Sequence, residues 1–307
     1  TNANAILLKA MDDVVVGAGT DAATRRVVST YGGPITLWSN ADFSGTGAIV
    51  TNNFTSFLSR GAKITMAGSA SANEASPSGF AVGSASTTSY KVSTTDKAPG
   101  SGVRLASSAV ASNLTISSDG GDIVIQGSTS RNVTDGLGVI QYGGATIDAG
   151  AGAIKIHART SSTSGTINGH GMELGFAGTA PTLITSSKSS DTAIDINGQT
   201  SGTSSDGKGV NFWSGDATNY VKISATGAAG NVSLTGSATT TTQPGISMNW
   251  ARVLSKGGSV TLDSGVNPTA FGNNSASGNI YLGADSAAGA SGNVDINAGS
   301  ITWAGTV

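Results

Sequence analysis

Gly230-Asn-Val-Ser-Leu234, Gly278-Asn-Ile-Tyr-Leu282 and Gly292-Asn-Val-Asp-Ile296 repeat one phrase in the last third of the chain, and Gly258-Ser-Val-Thr-Leu262 is a fourth variant. Each phrase places a polar residue between two apolar ones, so both apolar side chains point to one face of a β-strand. A strand this short, followed by a polar Gly-rich stretch, cannot bury its apolar face alone. It can do so by stacking on copies of itself. The phrase therefore predicts a solenoid.

The separations between the phrases vary, although the phrase itself is constant. A solenoid accommodates this because insertions leave a coil at one corner, whereas a β-sandwich or closed barrel needs matched strands and more even turns. We therefore predict an all-β protein with a right-handed parallel β-helix (β-solenoid) and irregular loop insertions. With about 22 residues and about 4.8 Å per coil, the rod would be about 60–70 Å long.

A second signal is an Asp or Asn followed closely by Gly at the end of a strand phrase. Asp and Asn side chains hydrogen-bond their own backbone in turns, and Gly adopts positive φ without steric cost. Five strands end in this way, and each of these endings is predicted to be a turn: Ile147-Asp-Ala-Gly150, Ile167-Asn-Gly169, Ile196-Asn-Gly198, Leu262-Asp-Ser-Gly265 and Ile296-Asn-Ala-Gly299.

The domain organisation predicted for residues 1–307 is a single β-solenoid. Residues 1–30 are a candidate N-terminal cap, residues 67–112 are loop-rich coils, and residues 113–307 carry the most regular repeats. The segment Ala5-Ile-Leu-Leu-Lys-Ala-Met11 fits a helix capped by Asn4 and fits a strand equally well. Pro77 and Pro99 would interrupt any β-ladder they entered.

The composition favours an ordered β protein. The chain has 45 Gly in 307 residues, 11% charged residues and a net charge of -2. Disordered chains combine low hydrophobicity with high net charge, whereas 37% of these residues are hydrophobic, mostly in alternating pairs. The absence of Cys excludes a disulfide scaffold. The near-neutral charge predicts no nucleic-acid partner, and the absence of a long apolar run predicts no membrane-spanning helix.

Three longer phrases resemble the repeats of the filamentous-haemagglutinin-like large exoproteins and adhesins of Gram-negative bacteria: Ala229-Gly-Asn-Val-Ser-Leu-Thr-Gly236, Gly257-Gly-Ser-Val-Thr-Leu-Asp-Ser-Gly265 and Ser291-Gly-Asn-Val-Asp-Ile-Asn-Ala-Gly299. The resemblance covers most of residues 113–307. It implies a parallel β-helix, secretion to the cell surface, and roles in adhesion or biofilm. That family's N-terminal secretion domain usually carries an Asn-Pro-Asn type motif, which the start of this chain lacks. Residues 1–307 therefore lie outside that domain, or the resemblance is architectural only.

Signatures of chemistry are weak, so no catalytic, cofactor-binding or metal-binding residue is predicted. Gly202-Thr-Ser-Ser-Asp-Gly-Lys-Gly209 approaches a phosphate-binding loop but lacks the Ser or Thr after Lys208 and a following helix. His157 and His170 are the only histidines. On neighbouring coils they could share a metal, but exposed loop or strand positions are the favoured interpretation.

Paired carboxylates and aromatic rows are the features that an enzyme or a glycan-binding surface would require. Hydrolysis of a polysaccharide needs two carboxylates about 5–10 Å apart, and the best local pairs are Asp119 with Asp122 and Asp191 with Asp195. For both pairs, solvated turn residues are the favoured interpretation. The tryptophans are far apart in the sequence: Trp38, Trp213, Trp250 and Trp303. Trp213 and Trp303 follow or end strand phrases, so core or corner packing is their expected role.

The leading hypothesis is an extracellular structural or adhesive β-helical rod without enzymatic activity or cofactor. It would be a segment of a large surface exoprotein or a subunit of a self-assembling surface fibre. Residues 301–307 end directly after a strand phrase without a polar cap. We therefore expect either continuation in a longer chain or end-to-end self-association. The alternative is a polysaccharide-binding or polysaccharide-degrading β-helix protein, with a glycan or host surface as its ligand.

Overall fold

The structure is a computed structural model that describes thirteen segments of the chain. These are residues 4–17, 24–83, 100–106, 113–129, 136–161, 169–176, 179–202, 207–213, 218–239, 243–271, 281–284, 294–297 and 300–303. The secondary structure of these segments consists of 27 β-strands. In these segments no helix is long and apolar enough to cross a membrane.

The strands form three sheets, which we name A, B and C. Sheet A contains β1 (Ile6–Lys9), β4 (Ile35–Ser39), β7 (Ile64–Gly68), β8 (Ala81–Val82), β11 (Ile123–Thr129), β14 (Ile154–Thr160), β17 (Thr192–Thr200), β20 (Asn231–Ser237), β23 (Val260–Asp263) and β26 (Val294–Asn297). Sheet B contains β2 (Val14–Val16), β5 (Ile49–Thr51), β9 (Val103–Leu105), β12 (Val139–Tyr142), β15 (Met172–Phe176), β18 (Val210–Trp213), β21 (Ile246–Asn249), β24 (Pro268–Phe271) and β27 (Ser300–Trp303). Sheet C contains β3 (Arg26–Ser29), β6 (Thr55–Leu58), β10 (Leu114–Ser117), β13 (Ala145–Asp148), β16 (Thr182–Ser186), β19 (Val221–Ala225), β22 (Ala251–Ser255) and β25 (Tyr281–Ala284).

The chain visits sheets A, B and C in turn and then returns to sheet A one level further along, so each circuit is one coil. β4 pairs with β1 and β7, for example, and all pairs between the named strands are parallel. This arrangement is a parallel β-helix, which confirms the predicted fold. Its right-handed sense stays a prediction, supported by the strong general preference of parallel crossovers for that hand.

The coils are longer than predicted, and the stack is correspondingly shorter. Hydrogen-bonded residues on neighbouring coils are separated by 28 positions at Asn231 and Ser259 but by 59 at Ser59 and Ser118. The described strands therefore make only nine coils. At about 4.8 Å per coil the stack is about 40 Å tall.

The repeated phrases stack directly on one another in sheet A. Val232 pairs with Val260, and Val260 pairs with Val294. The described end of the phrase at 278–282 lies in a different place, because Tyr281 and Leu282 belong to β25 of sheet C, which pairs with β22. The uneven spacing of the phrases in the sequence therefore has two causes: variable loops, and use of the same phrase in two different sheets.

The interior is a column of apolar side chains contributed by all three sheets. In sheet A the burial alternates, so that Ile123 and Ile125 are buried while Val124 between them is half-buried. In sheet B the strands β9, β12 and β15 are buried on both faces. Strands buried on both faces carry continuous apolar runs, as Val139-Ile140 does.

A row of buried hydroxyl groups lines the corner where sheet C leads back to sheet A. Each hydroxyl donates a hydrogen bond to a backbone carbonyl that lies just before a strand of sheet A, either the next strand along the chain or the corresponding strand of the previous coil, as buried polar groups require. The donors are Thr30, Ser59, Ser118, Ser186 and Ser255.

Facing glycines line the corner between sheets A and B. A Cβ on Gly198 would lie 2.2 Å from the carbonyl oxygen of Gly209, and one on Gly236 would lie 2.0 Å from that of Gly245. Both distances are far below van der Waals contact. The two backbones therefore approach so closely that only glycine fits.

Two of the predicted Asx turns are confirmed. The carboxylate of Asp148 accepts a hydrogen bond from the Gly150 N–H at 2.9 Å, and that of Asp263 accepts one from Gly265 at 3.0 Å. Both glycines have positive φ, 54° and 56°, as the turn requires.

The turn predicted at 196–198 was wrong. Asn197 and Gly198 lie inside β17, which continues to Thr200. Gly198 is needed there for the close approach to Gly209 rather than for a turn. The phrases at 167–169 and 296–299 extend outside the described residues.

The first segment of the chain is a strand. Of the two interpretations left open for Ala5 to Met11, the strand is confirmed by the pairing of β1 with β4, and the helix was wrong. The tryptophans also differ from one another. Trp38 is buried and donates from its Nε1 to Ser69 Oγ at 2.8 Å. Trp213, at the end of β18, is 36% exposed, so of the two roles expected for it, core or corner packing, the core role was wrong.

Candidate functional site

One strand of sheet A presents three basic side chains in alternation. In β14 the residues Ile154, Ile156 and Ala158 are buried, and Lys155, His157 and Arg159 occupy the intervening positions. Because successive side chains of a strand point to opposite faces, the three basic groups lie on the outer face of sheet A. This strand is the most basic part of the outer face of sheet A that the structure describes.

The histidine in this strand is paired with a carboxylate on the next coil. His157 Nε2 lies 2.8 Å from Asp195 Oδ2, across the pairing of β14 with β17. Both side chains are partly exposed. On the outer face of β14 this pair lies between Lys155 and Arg159, and Arg159 is the basic residue nearest the end of the strand.

The two histidines do not form one site. His170 is buried just before β15 and its Nδ1 accepts a hydrogen bond from the Lys208 N–H at 3.1 Å, whereas His157 lies on the outer face of sheet A. Within the described segments, no group of three or more His, Asp or Glu side chains could hold a metal ion.

The paired acids have separate roles in turns and coil contacts. The Asp122 carboxylate accepts a hydrogen bond from the Ala153 N–H at 2.8 Å. Asp119 and Asp191 both have positive φ, 53° and 55°, which is typical of Asp in tight turns. The Asp191 carbonyl accepts the Asn231 N–H, and Asp195 binds His157. Each of these residues thus has a conformational or hydrogen-bonding role that does not require catalysis.

The segment that resembles a phosphate-binding loop, residues 202–209, leads into a strand. Val210–Trp213 forms β18 directly after Gly209, and the backbone N–H of Lys208 is bonded to His170. Residues 203–206 lie outside the described part of the chain. A phosphate loop places its anion at the N-terminus of a helix, and here the chain continues as sheet B.

A groove of about 520 Å³ lies at the end of the long strands of sheet A. Four polar residues from four successive coils lie side by side along it, and we call them the outer ladder: Ser128, Arg159, Gln199 and Ser237. Val82 of β8 pairs with Ser128 and closes one end of the outer ladder. The volume is within the range of about 300–1,000 Å³ that is typical of ligand sites.

A row of threonines lies beside the outer ladder, and we call it the threonine row: Thr129, Thr160 and Thr200. All three are nearly fully buried and line the groove. The Oγ1 atom of Thr200 is buried without a hydrogen-bond partner. A buried hydroxyl without a partner is energetically costly, so a ligand atom in the groove that bonded this oxygen would recover that cost.

The side wall of the groove comes from the segment predicted to be loop-rich. Phe80 precedes β8, and the Arg159 guanidinium lies 4.1 Å from the centre of its ring. This cation–π contact holds the guanidinium over the ring and restricts the motion of a long side chain. The insertion between β7 and β9 therefore orients the only charged side chain among the described residues that line the groove.

Glu74 stabilises the loop of residues 70–78, which precedes Phe80 and β8. Its Oε1 accepts hydrogen bonds from Ser78 Oγ at 2.9 Å, from the Ala70 N–H at 3.1 Å and from Ser71 Oγ at 3.2 Å. Desolvation acts to raise the pKa of Glu74, but the hydrogen bonds from Ser78, Ala70 and Ser71 outweigh it and lower the pKa below its ordinary value of 4.5.

Acidification is expected to loosen this loop. A carboxyl whose pKa is lower in the folded state stabilises that state above its ordinary pKa and loses the contribution as the pH falls through the folded value. Amide exchange protection of residues 70–80, corrected for intrinsic rates, should therefore be high at pH 7 and reduced at pH 3. Glu74→Gln should show the reduced protection at both pH values, whereas Asp263→Asn, in a separate turn, should leave this segment unchanged. Equal protection of the wild type at both pH values would contradict the prediction.

The comparison with known proteins gives no identification. The chain matches no protein-family model, no curated protein and no solved structure. The function must therefore be inferred from the fold and the groove.

The groove was not among the sites predicted from the sequence. Its described residues come from five coils, the four of the outer ladder and that of Val82, and no short motif links them. The signal that was present is Lys155-Ile-His-Ala-Arg159, where three basic residues alternate with apolar ones in a chain with only 11% charged residues. Such a cluster on one strand face indicates a surface with a role beyond folding.

Proposed function

We propose that the chain is an extracellular structural and adhesive rod that extends by stacking of further β-coils. These coils would come from a longer surface exoprotein or from a second copy in a surface fibre. The observation that carries the proposal is the edge of the first coil. Among the described residues, β1, β2 and β3 each pair on one side only.

The first-coil edge, formed by β1, β2 and β3, also exposes apolar side chains. Leu7 is 55% exposed and Val27 57%, and Leu8, which faces the column of core residues, is 36% exposed. Soluble β proteins usually protect an open sheet edge with charges, prolines or covering loops. An apolar edge with free backbone groups is suited to pairing with another coil.

An enzymatic function is not part of this proposal. Asp119, Asp122, Asp191 and Asp195 each have a role in backbone conformation or hydrogen bonding. The resemblance of the repeats to those of the filamentous-haemagglutinin-like exoproteins supports an adhesive rod, with biofilm or surface attachment as its setting.

Sedimentation velocity across a range of protein concentrations, with electron microscopy of the same samples, tests end-to-end stacking. We expect concentration-dependent linear oligomers for the wild type and a monomer for the double variant Leu8→Lys/Val27→Lys, because charges on an edge strand oppose pairing. Val266→Lys is the matched control, since Val266 is 73% exposed but lies in a turn after β23. A wild type that stays monomeric at every concentration would contradict self-association.

A further inference from the structure

The arrangement of the groove indicates a ligand that extends along the axis of the β-helix. The outer ladder places one side chain on each of four successive coils, in direct register. The spacing between neighbouring rungs is about 4.8 Å, and the row runs parallel to the axis. A linear chain that repeats its functional groups fits such a row better than a compact small molecule does.

The chemistry of the groove favours a ligand rich in hydroxyl groups. The side chains of Ser128, Gln199 and Ser237 are polar and line the groove, and Thr200 Oγ1 is buried without a partner. Together they offer hydroxyl and amide groups that both donate and accept hydrogen bonds. A ligand with many hydroxyl groups would satisfy them, whereas an apolar ligand would leave them without partners.

The charge of the groove favours a ligand that is also acidic. Arg159 is the only charged residue among the described lining residues, and none of these described residues carries a carboxylate. Its guanidinium stacks on Phe80, which restrains its plane while its N–H groups remain available. Guanidinium binds carboxylate and sulfate groups through two parallel hydrogen bonds.

We propose that this groove binds a segment of an acidic polysaccharide lying along the outer ladder, with Arg159 bound to a carboxylate or sulfate group of a sugar residue. The proposal deepens the adhesive part of the proposed function and rests on it. Nucleic acid is less well suited, because it requires several Lys or Arg contacts to phosphates and aromatic side chains on which bases stack. The described lining residues include a single Arg, and the Phe80 ring is already covered by its guanidinium.

Isothermal titration calorimetry with the intact chain tests the proposal. The probes are an oligogalacturonate, which carries carboxylates, a sulfated dextran oligomer, a neutral dextran oligomer of similar length, and a single-stranded DNA oligomer. We expect an acidic oligosaccharide to bind and the neutral dextran to bind at least about tenfold more weakly, because bonds to charged groups are the stronger ones. The tighter of the two acidic probes identifies carboxylate or sulfate as the bound group.

The variants assign the binding to the groove. Arg159→Ala should reduce the affinity for the acidic probe at least about tenfold, and Arg159→Lys should recover part of it because Lys retains the charge but not the planar fork. Lys222→Ala, which removes a cation from sheet C, should leave the affinity unchanged. Far-UV circular dichroism checks that each variant is folded.

Three results would overturn the proposal: no binding of either acidic oligosaccharide, equal binding by Arg159→Ala, or tighter binding of the DNA oligomer. These results are separate from a failure of the rod proposal, which sedimentation measures. The edge variant Leu8→Lys/Val27→Lys should still bind the acidic probe as a monomer. If the wild type forms linear oligomers but binds neither acidic oligosaccharide, the groove proposal fails and the rod proposal stands.

Discussion

Phe212→Ala is expected to lower the free energy of unfolding by about 3–5 kcal/mol, because it leaves a large cavity in the core. Phe212 is fully buried in β18, and its register partners are Leu174 on one neighbouring coil and Met248 on the next. The backbone pairing of β15, β18 and β21 fixes the distance between these coils. The side chains around the vacant space therefore cannot move together to fill it.

Trp213→Ala is the matched control for this prediction. Trp213 is the next residue of β18 but points outward, and its indole ring lies 6.0 Å from Lys208 Nζ. Its removal should change the free energy of unfolding by about 0.5 kcal/mol or less. Urea unfolding followed by far-UV circular dichroism measures both variants, and the slope is compared as well as the midpoint because a solenoid can unfold in steps. A loss for Trp213→Ala as large as that for Phe212→Ala would contradict the assignment of inner and outer faces.

The strands of sheet A could be predicted from the sequence because their two faces differ. Phrases such as Gly258-Ser-Val-Thr-Leu262 alternate between core and solvent, and that alternation is visible without a structure. The strand β12 lacks the signal, since Val139, Ile140 and Gln141 are all buried. The strand β24 begins with Pro268, a residue that argues against a strand. These two strands of sheet B were therefore hard to predict from the sequence.

The candidate site could not be predicted, because it depends on register between distant strands. Arg159 lies beside Gln199 only because the chain returns to sheet A in the same register, one coil further along the stack. The repeated phrase indicates where each strand lies and which of its faces is buried. It does not indicate which outward-facing residues of neighbouring coils lie side by side. The position of Phe80 depends on the short strand β8, which pairs with β11 after an irregular insertion.

The glycine corner connects the fold to the groove. Strands β11, β14, β17 and β20 are seven to nine residues long, longer than the strands of sheets B and C. Their last residues lie beyond the glycines that face sheet B, such as Gly198 and Gly236. The outer ladder is made of these last residues. The extension of the strands beyond these glycines is compatible with a closed core only because the two backbones approach each other at glycines such as Gly198 and Gly209. The same residues that close the corner therefore also create the surface of the candidate site.

Gly198→Ala is accordingly expected to lower the free energy of unfolding by about 3 kcal/mol, at the upper end of the usual cost of overpacking. The added Cβ would lie 2.2 Å from the Gly209 carbonyl oxygen and 2.7 Å from a Val210 methyl group. The contact involves backbone of two elements, so relief requires a shift of β17 relative to the start of β18. Because Gln199 follows directly, that shift would also disturb the outer ladder.

Gly17→Ala is the control for this substitution, since a Cβ at Gly17 would meet nothing within 4 Å. Its effect on the urea midpoint should be small, because an exposed position with free space tolerates a methyl group. Affinity for the acidic oligosaccharide gives a second measurement on the same variants, under conditions where both are folded. A Gly198→Ala protein with wild-type stability would contradict the close approach at the corner. A folded Gly198→Ala protein with wild-type affinity would show that the outer ladder does not depend on the position of the β17 backbone.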